Sequence, residues 1–173
     1  RSLFRTLSQQ VLSPAKIVTD MNNSISDNNE SNMFVTLIVG ILDLETGKLK
    51  LCNAGHNPPI LIRPDGQVSF LEFKTQIFVG VIEEFAYTED ETTLEKGSKL
   101  FLYTDGVTEA ENINKELYGE EKLLEMLSDN ASSDVRTTVN VVVDSIASHV
   151  KEAEASDDLT ILLIQYEPGT ANS

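Results

Sequence analysis

Residues Met33–Asp43 read MFVTLIVGILD, a nearly continuous apolar run rich in β-branched side chains. That composition is the mark of a strand buried on both faces, and it predicts a central strand of a sheet. Working outward, LETGKL (44–49) turns at Thr46-Gly47 into a second strand, KLKLCNA (48–54). AGHNPP (54–59) breaks that strand. ILIRPDGQVSFLEF (60–73) then reads as a hairpin with its turn at Pro64-Asp65-Gly66, because Pro presets the first turn dihedral and Gly accepts a positive one. Strands that follow one another through short turns predict antiparallel pairing. AYTEDETTLE (86–95) is a further, more exposed strand, and Lys96-Gly97 turns into KLFLYT (99–104).

The flanks change period. Leu3, Phe4, Leu7, Val11 and Leu12 repeat at helical spacing. Ser13-Pro14 reads as an N-cap with Pro at the first helical position, opening a helix to about Ser26 with Ile17, Val18, Met21 and Ile25 as its apolar stripe. SDNNESN (26–32) is polar loop. Downstream, GEEKLLEMLSDN (119–130) predicts a short helix whose Glu120 and Glu121 suit an N-terminus. A longer helix is predicted over Ser133–Val150, with Val135, Val139, Val142, Val143, Ile146 and Val150 facing inward, and DDLTILLIQYE (157–167) closes the chain as a strand. The fold class is α+β with layered helices and sheets, in a single domain over 1–173: helical over 1–30, mainly strand over 33–104, helical over 119–150, and a last strand over 158–166.

At 173 residues the chain has the length of one domain. Acidic residues outnumber basic ones 28 to 13, for a formal charge of −15. A field of that sign repels nucleic acid and anionic lipid, and either favours divalent cations or serves only as a solvated acidic surface. Cys52 stands alone, so no disulfide framework is available and a reducing, cytoplasmic setting fits. No apolar run reaches the roughly 18 residues of a membrane span. The chain opens at Arg1 in mid-pattern, which is expected of a piece of something longer.

Several chemistries are excluded. A cysteine phosphatase needs Arg six positions after its Cys, and position 58 is Pro. There is no G-x-S-x-G elbow, no G-x-x-x-x-G-K-[ST] loop and no G-x-G-x-x-G. His56, His149 and Cys52 are too dispersed for a zinc site, and His56 reads as a loop residue. The carboxylates remain. In KLFLYTDGVTEAEN (99–112), Asp105 ends an apolar run, and Asp157-Asp158 precede another. Asp-Gly is either a turn or a carboxylate placed at a strand end. If the two strands are antiparallel neighbours, Asp105 and Asp157 converge on one spot, where carboxylates repel unless a cation joins them. Oxygen ligation without His or Cys suits Mg²⁺ or Mn²⁺, and Gly106 would let backbone and water approach the ion.

Three segments together, MFVTLIVGILDLETGKLKLCNAGHNPPILI, GSKLFLYTDGVTEAENINKELYGEEKLLEML and SDDLTILLI, resemble the metal-dependent serine/threonine phosphatases of the stage II sporulation protein E type, the bacterial PPM or protein phosphatase 2C-like branch. The resemblance covers most of residues 1–166. It implies an α-β-β-α sandwich of two mostly antiparallel sheets with a centre for two Mg²⁺ or Mn²⁺ ions, hydrolysing phosphoserine or phosphothreonine by a metal-activated water and without a phospho-enzyme. Asp105 and Asp157 would be metal ligands, with Gly106 and Asp158 as further positions at the centre. AGHNPP would be a signature of the fold. Family substrates are phosphorylated regulators of the anti-anti-sigma (STAS) type, sensor domains commonly precede the phosphatase, and the parent protein is sometimes membrane-tethered. Members also carry an earlier glycine–aspartate strand. Ahead of Met33 the chain has only Asp20 and Asp27, in or after a helix, so the domain's N-terminal strands are expected to be absent. That leaves a second expectation, a catalytically incomplete phosphatase fold serving as a protein-binding module, and exposed sheet edges that favour a homodimer.

Overall fold

The chain builds two sheets, and AGHNPP is where it leaves one for the other. The computed structural model describes residues 13–27, 33–151, 153 and 158–168. The predicted helix over 1–12 and most of the polar loop at 26–32 fall outside them. Two compact units emerge, neither continuous in sequence. Of the described residues, the first comprises 13–27, 33–58, 72–94 and 168, the second 59–71, 95–151, 153 and 158–167.

In the first unit, helix α1 (Pro14–Ser26) starts as predicted: the Ser13 side chain accepts the Lys16 N–H and Pro14 occupies the first helical position. Glu89 adds a second cap, with Oε2 accepting from Ser13 Oγ at 2.6 Å and from the Ala15 N–H at 3.1 Å. The sheet is centred on β2 (Lys48–Ala54). Strand β1 (Leu37–Leu42) lies antiparallel on one side. On the other lie β5 (Thr75–Gln76), parallel to β2, and β6 (Asp90–Thr93), antiparallel to it. Ile17 and Val18 of α1 pack with Val39, Cys52, Ala54, Val79 and Tyr87, and Met21 and Ile25 join them, so the predicted stripe is the buried face.

One expectation is corrected here. MFVTLIVGILD is not a central strand buried on both faces. Its strand begins at Leu37, only Val39 within it is fully buried, and Met33, Phe34 and Val35 are 69, 58 and 45 % exposed. Among the described residues β1 pairs with β2 alone. An apolar run reports affinity for burial, not how many neighbours a strand has, and β2, with its alternating lysines, is the central one. The pairing is mostly antiparallel, as expected, with β5 the parallel exception.

In the second unit, β3 (Ile60–Ile62) and β4 (Val68–Phe70) form the predicted hairpin. They join β7 (Lys99–Tyr103) and β8 (Ile161–Gln165) in an all-antiparallel sheet of order β4-β3-β7-β8. A one-turn helix, α2 (Asp105–Thr108), follows β7 directly, and α3 (Glu120–Asp129) and α4 (Val135–Val150) come next. Leu123, Leu127, Val142 and Ile146 pack with Ile60, Ile62, Phe101 and Leu163 of the sheet. At about 1.5–3 kcal/mol for each fully buried aliphatic side chain, this face dominates the unit's stability.

Helix α4 starts two residues later than predicted, capped by Asp134, whose Oδ1 accepts the Thr137 N–H at 3.0 Å. Its stripe is also shifted: Val143 is 39 % exposed and Thr138 is buried instead, its hydroxyl bonded to the Asp134 carbonyl. A valine-rich helix does not reveal which valine turns outward. Lys99 is buried at the start of β7. Its Nζ donates to the carbonyls of Ala131 (2.8 Å) and Ser133, fastening the α3–α4 connection to the sheet. Burial holds its pKa below the ordinary lysine value, partly opposed by Asp134. Among the described residues no helix is long and apolar enough to cross a membrane.

Candidate metal centre

Strands β7 and β8 are antiparallel neighbours, with Tyr103 opposite Ile161. The end of one therefore lies beside the start of the other, which is the condition set for the two carboxylate positions to converge. Past Tyr103 the ladder continues for one more residue. Thr104 N–H donates to the Thr160 carbonyl at 3.1 Å. The Thr104 hydroxyl accepts the Thr160 N–H at 3.2 Å and donates to the Asp158 carbonyl at 3.4 Å.

Asp105 follows at once and opens α2, whose Gly106, Val107 and Thr108 are buried. Val107 packs in the core beside Ala110 and Tyr118, so the turn carrying Asp105 is anchored from below. Thr-Asp-Gly is therefore neither the corner of a hairpin nor a free loop. The Asp105 side chain is exposed, and its Oδ1 accepts the Gly106 N–H at 3.0 Å. Its carbonyl receives the Glu109 N–H at 2.7 Å. No lysine or arginine pairs with Asp105 among the described residues. Asp158 is exposed at the head of β8. Asp157 lies outside the described residues.

This corner offers a cation oxygen donors only, which match Mg²⁺ or Mn²⁺ in kind. Among the described residues no group of three or more His, Cys, Asp or Glu side chains gathers anywhere. Gly106 directs its N–H to the Asp105 carboxylate, a role in aiming that side chain. Thr104, which ties the two strand ends together, was not singled out from sequence. A hydroxyl residue between a strand and an Asp-Gly was the available signal.

AGHNPP resolves into a backbone corner. Asn53 Oδ1 accepts the His56 N–H at 2.8 Å and Asn53 Nδ2 donates to the His56 carbonyl at 2.9 Å. Gly55 has φ of 74°, and the Phe78 ring lies against it. Asn53 is a second residue that the sequence reading passed over.

The stage II sporulation protein E (SpoIIE) family model matches residues 1–167, and the chain belongs to that family. Protein IcfG of Synechocystis sp. is 30 % identical over 139 residues, covering 80 % of this chain and 22 % of IcfG. The phosphoserine phosphatase RsbU of Bacillus subtilis is 23 % identical over 161 residues, covering 92 % of this chain and 47 % of RsbU. The chain thus spans less than half the length of these curated relatives. Among solved structures, the SiaA-PP2C domain of Pseudomonas aeruginosa matches with a TM-score of 0.83 at 19 % identity, covering 96 % of this chain and 67 % of that one. The fold is the mixed α+β fold of PP2C-type phosphatase domains, two sheets with helices.

Proposed function

We propose that this domain belongs to a phosphoprotein phosphatase that hydrolyses phosphoserine or phosphothreonine on a regulatory protein, with Mg²⁺ or Mn²⁺ held by Asp105 and the Asp157-Asp158 segment. The observation that carries the reading is the β7–β8 ladder, which sets Asp105 and Asp158 at the same end of adjacent strands. Membership of the SpoIIE family and the name of the relative RsbU support the reaction class. Bound there, a divalent cation supplies positive charge to phosphoryl oxygens and lowers the pKa of water. The chain's own contribution is to hold carboxylates in place before the ion arrives: Gly106 N–H aims Asp105, Val107 anchors its turn, and Thr104 ties down the segment leading into β8. The substrate class that goes with this reading is a phosphorylated anti-anti-sigma-type regulator, and the setting is the cytoplasmic side of a sensor-bearing parent protein.

The alternative reading is a phosphatase fold that binds a partner without turnover. The experiment is Mn²⁺-dependent hydrolysis of p-nitrophenyl phosphate by this chain beside one extended upstream. Hydrolysis by the longer chain, abolished by Asp105→Asn, supports the phosphatase. Two folded but inactive chains support the binding module.

A further inference from the structure

A cavity of about 640 Å³ lies in the same unit, between the loop after α2 and the end of α4. Asn112, Ile113, Lys122, His149, Val150 and Lys151 line it. In a chain of net charge −15, its titratable lining is two lysines and a histidine, and no carboxylate is among the described lining residues. The nearby carboxylates of the loop are each bonded to a side chain of that loop. Glu111 pairs with Lys115 at 2.9 Å, and Glu116 Oε2 accepts from Asn112 Nδ2 at 2.8 Å.

Cations near a helix C-terminus are often there only to offset its dipole, and His149 and Lys151 sit at the end of α4. Lys122 does not fit that explanation. It is the third residue of α3, at the end where a positive charge is disfavoured. It is held there by other means: its Nζ stands 4.9 Å from the centre of the Tyr118 ring and 3.4 Å from His149 Nδ1. The far side of His149 fixes its tautomer. Nε2 lies 2.9 Å from the Glu116 carbonyl, so it carries the proton, and Nδ1 is left to accept from Lys122. An ammonium has three donors, so two of those on Lys122 remain for the cavity. Lys151 has φ of 50°, where glycine is the unstrained choice, yet the position carries a cation. Beside these charges the loop projects Ile113, 74 % exposed, and Leu117, 53 % exposed.

We infer that this cavity is a docking site for an acidic segment of a partner protein, one that places carboxylates against Lys122 and Lys151 and an apolar side chain against Ile113. The cavity is far larger than a single small anion requires, and its apolar rim has no use for one. The loop is bonded to the turn that carries Asp105, through Gly119 N–H to the Thr108 carbonyl and Tyr118 N–H to the Ala110 carbonyl, both at 2.9 Å. An occupant would therefore sit one loop away from that turn.

The test is a titration of the isotope-labelled chain with the peptide acetyl-Glu-Glu-Leu-Glu-Glu-amide, following the His149 ring resonances, with inorganic phosphate in a parallel arm. Saturable shifts are expected that weaken with added salt, and about tenfold weaker binding in both Lys122→Gln and Lys151→Gln. Lys151 is exposed, so its replacement leaves the packing of Tyr118 and His149 intact. The inference is overturned if the peptide leaves His149 unmoved, or if Lys151→Gln binds it as the unaltered chain does. It is also overturned if phosphate alone binds as tightly as the peptide, which would leave a small-anion site with no protein partner. Because the readout is binding, its failure is separable from failure of the phosphatase reading.

Discussion

Thr104 and Thr160 hold each other across the end of the β7–β8 ladder by two bonds of opposite sense. The Thr104 N–H donates to the Thr160 carbonyl at 3.1 Å, and the Thr160 N–H donates to the Thr104 hydroxyl at 3.2 Å. A main-chain bond alone would align the strands. The hydroxyl adds a clamp one residue before Asp105 and two after Asp158.

Thr104→Val keeps the shape and removes the clamp. Stability should fall by about 1 kcal/mol, the net worth of an ordinary hydrogen bond. Mn²⁺ affinity of an upstream-extended chain should fall by roughly 10-fold or more, the scale seen when a group supporting a metal ligand is lost. Thr104→Ser should restore affinity; calorimetric titration with Mn²⁺ would reveal a purely structural role if the serine variant bound as weakly as the valine one.

Asp105→Asn acts on the proposed ligand itself. Its side chain is exposed and outside the core, so the melting temperature should barely change. Hydrolysis of p-nitrophenyl phosphate by the extended chain should fall by at least about 100-fold, the upper end of what losing a mere supporting group costs. Unchanged activity and unchanged metal affinity would remove Asp105 from the centre.

Gly55→Ala addresses the corner where the chain leaves the first sheet. A Cβ there would lie 2.0 Å from Phe78 Cδ1, on a backbone whose φ of 74° already strains an L-residue. The ring must move and the strain remains, so destabilisation of about 2 kcal/mol or more is expected in urea unfolding. A variant of unaltered midpoint would show that the Phe78 ring yields freely.

Cys52 gives the first unit a pH dependence. Burial pushes its thiol from an ordinary 9.0 up to about 12, with the Gln76 amide bond opposing. The folded state therefore binds the proton more tightly than the unfolded one. Its contribution is fully present below pH 9.0 and is lost as pH rises towards 12. Unfolding midpoints measured across that window should decline, and Cys52→Ala should flatten the decline. At neutral pH the thiol should resist alkylation until the chain is unfolded.

What could be read from sequence follows from what each signal measures. Ser13-Pro14 and Pro64-Asp65-Gly66 were legible because a cap and a turn are local chemistry, complete within a few residues. That Asp105 and Asp158 lie at the same end of neighbouring strands was legible only as a condition on strand order, which the hydrogen-bonded ladder supplies. The burial of β1 was misjudged because apolarity says that a segment seeks cover without saying where the cover comes from. Val143 and Thr138 exchanged places because six valines on α4 carry no phase. The short parallel strand at Thr75-Gln76 had no pattern to read, being two residues long. Lys99, Thr104 and Asn53 do their work through partners distant in the chain or through backbone atoms, and neither kind of partner leaves a trace in residue type.

The interleaving of the two units also sets an order of events during synthesis. The described strands of the first sheet are all present once residue 93 has left the ribosome. The β3–β4 hairpin emerges midway through that process but must wait for β7 to find its place in the second sheet, and β8, which completes the ladder beside β7, follows all the other described strands. Asp105 is thus made long before the strand that brings its neighbour. A nascent chain halted after α4 would carry Asp105 without the strand that brings Asp158 beside it, so the proposed chemistry is withheld until β8 has been made.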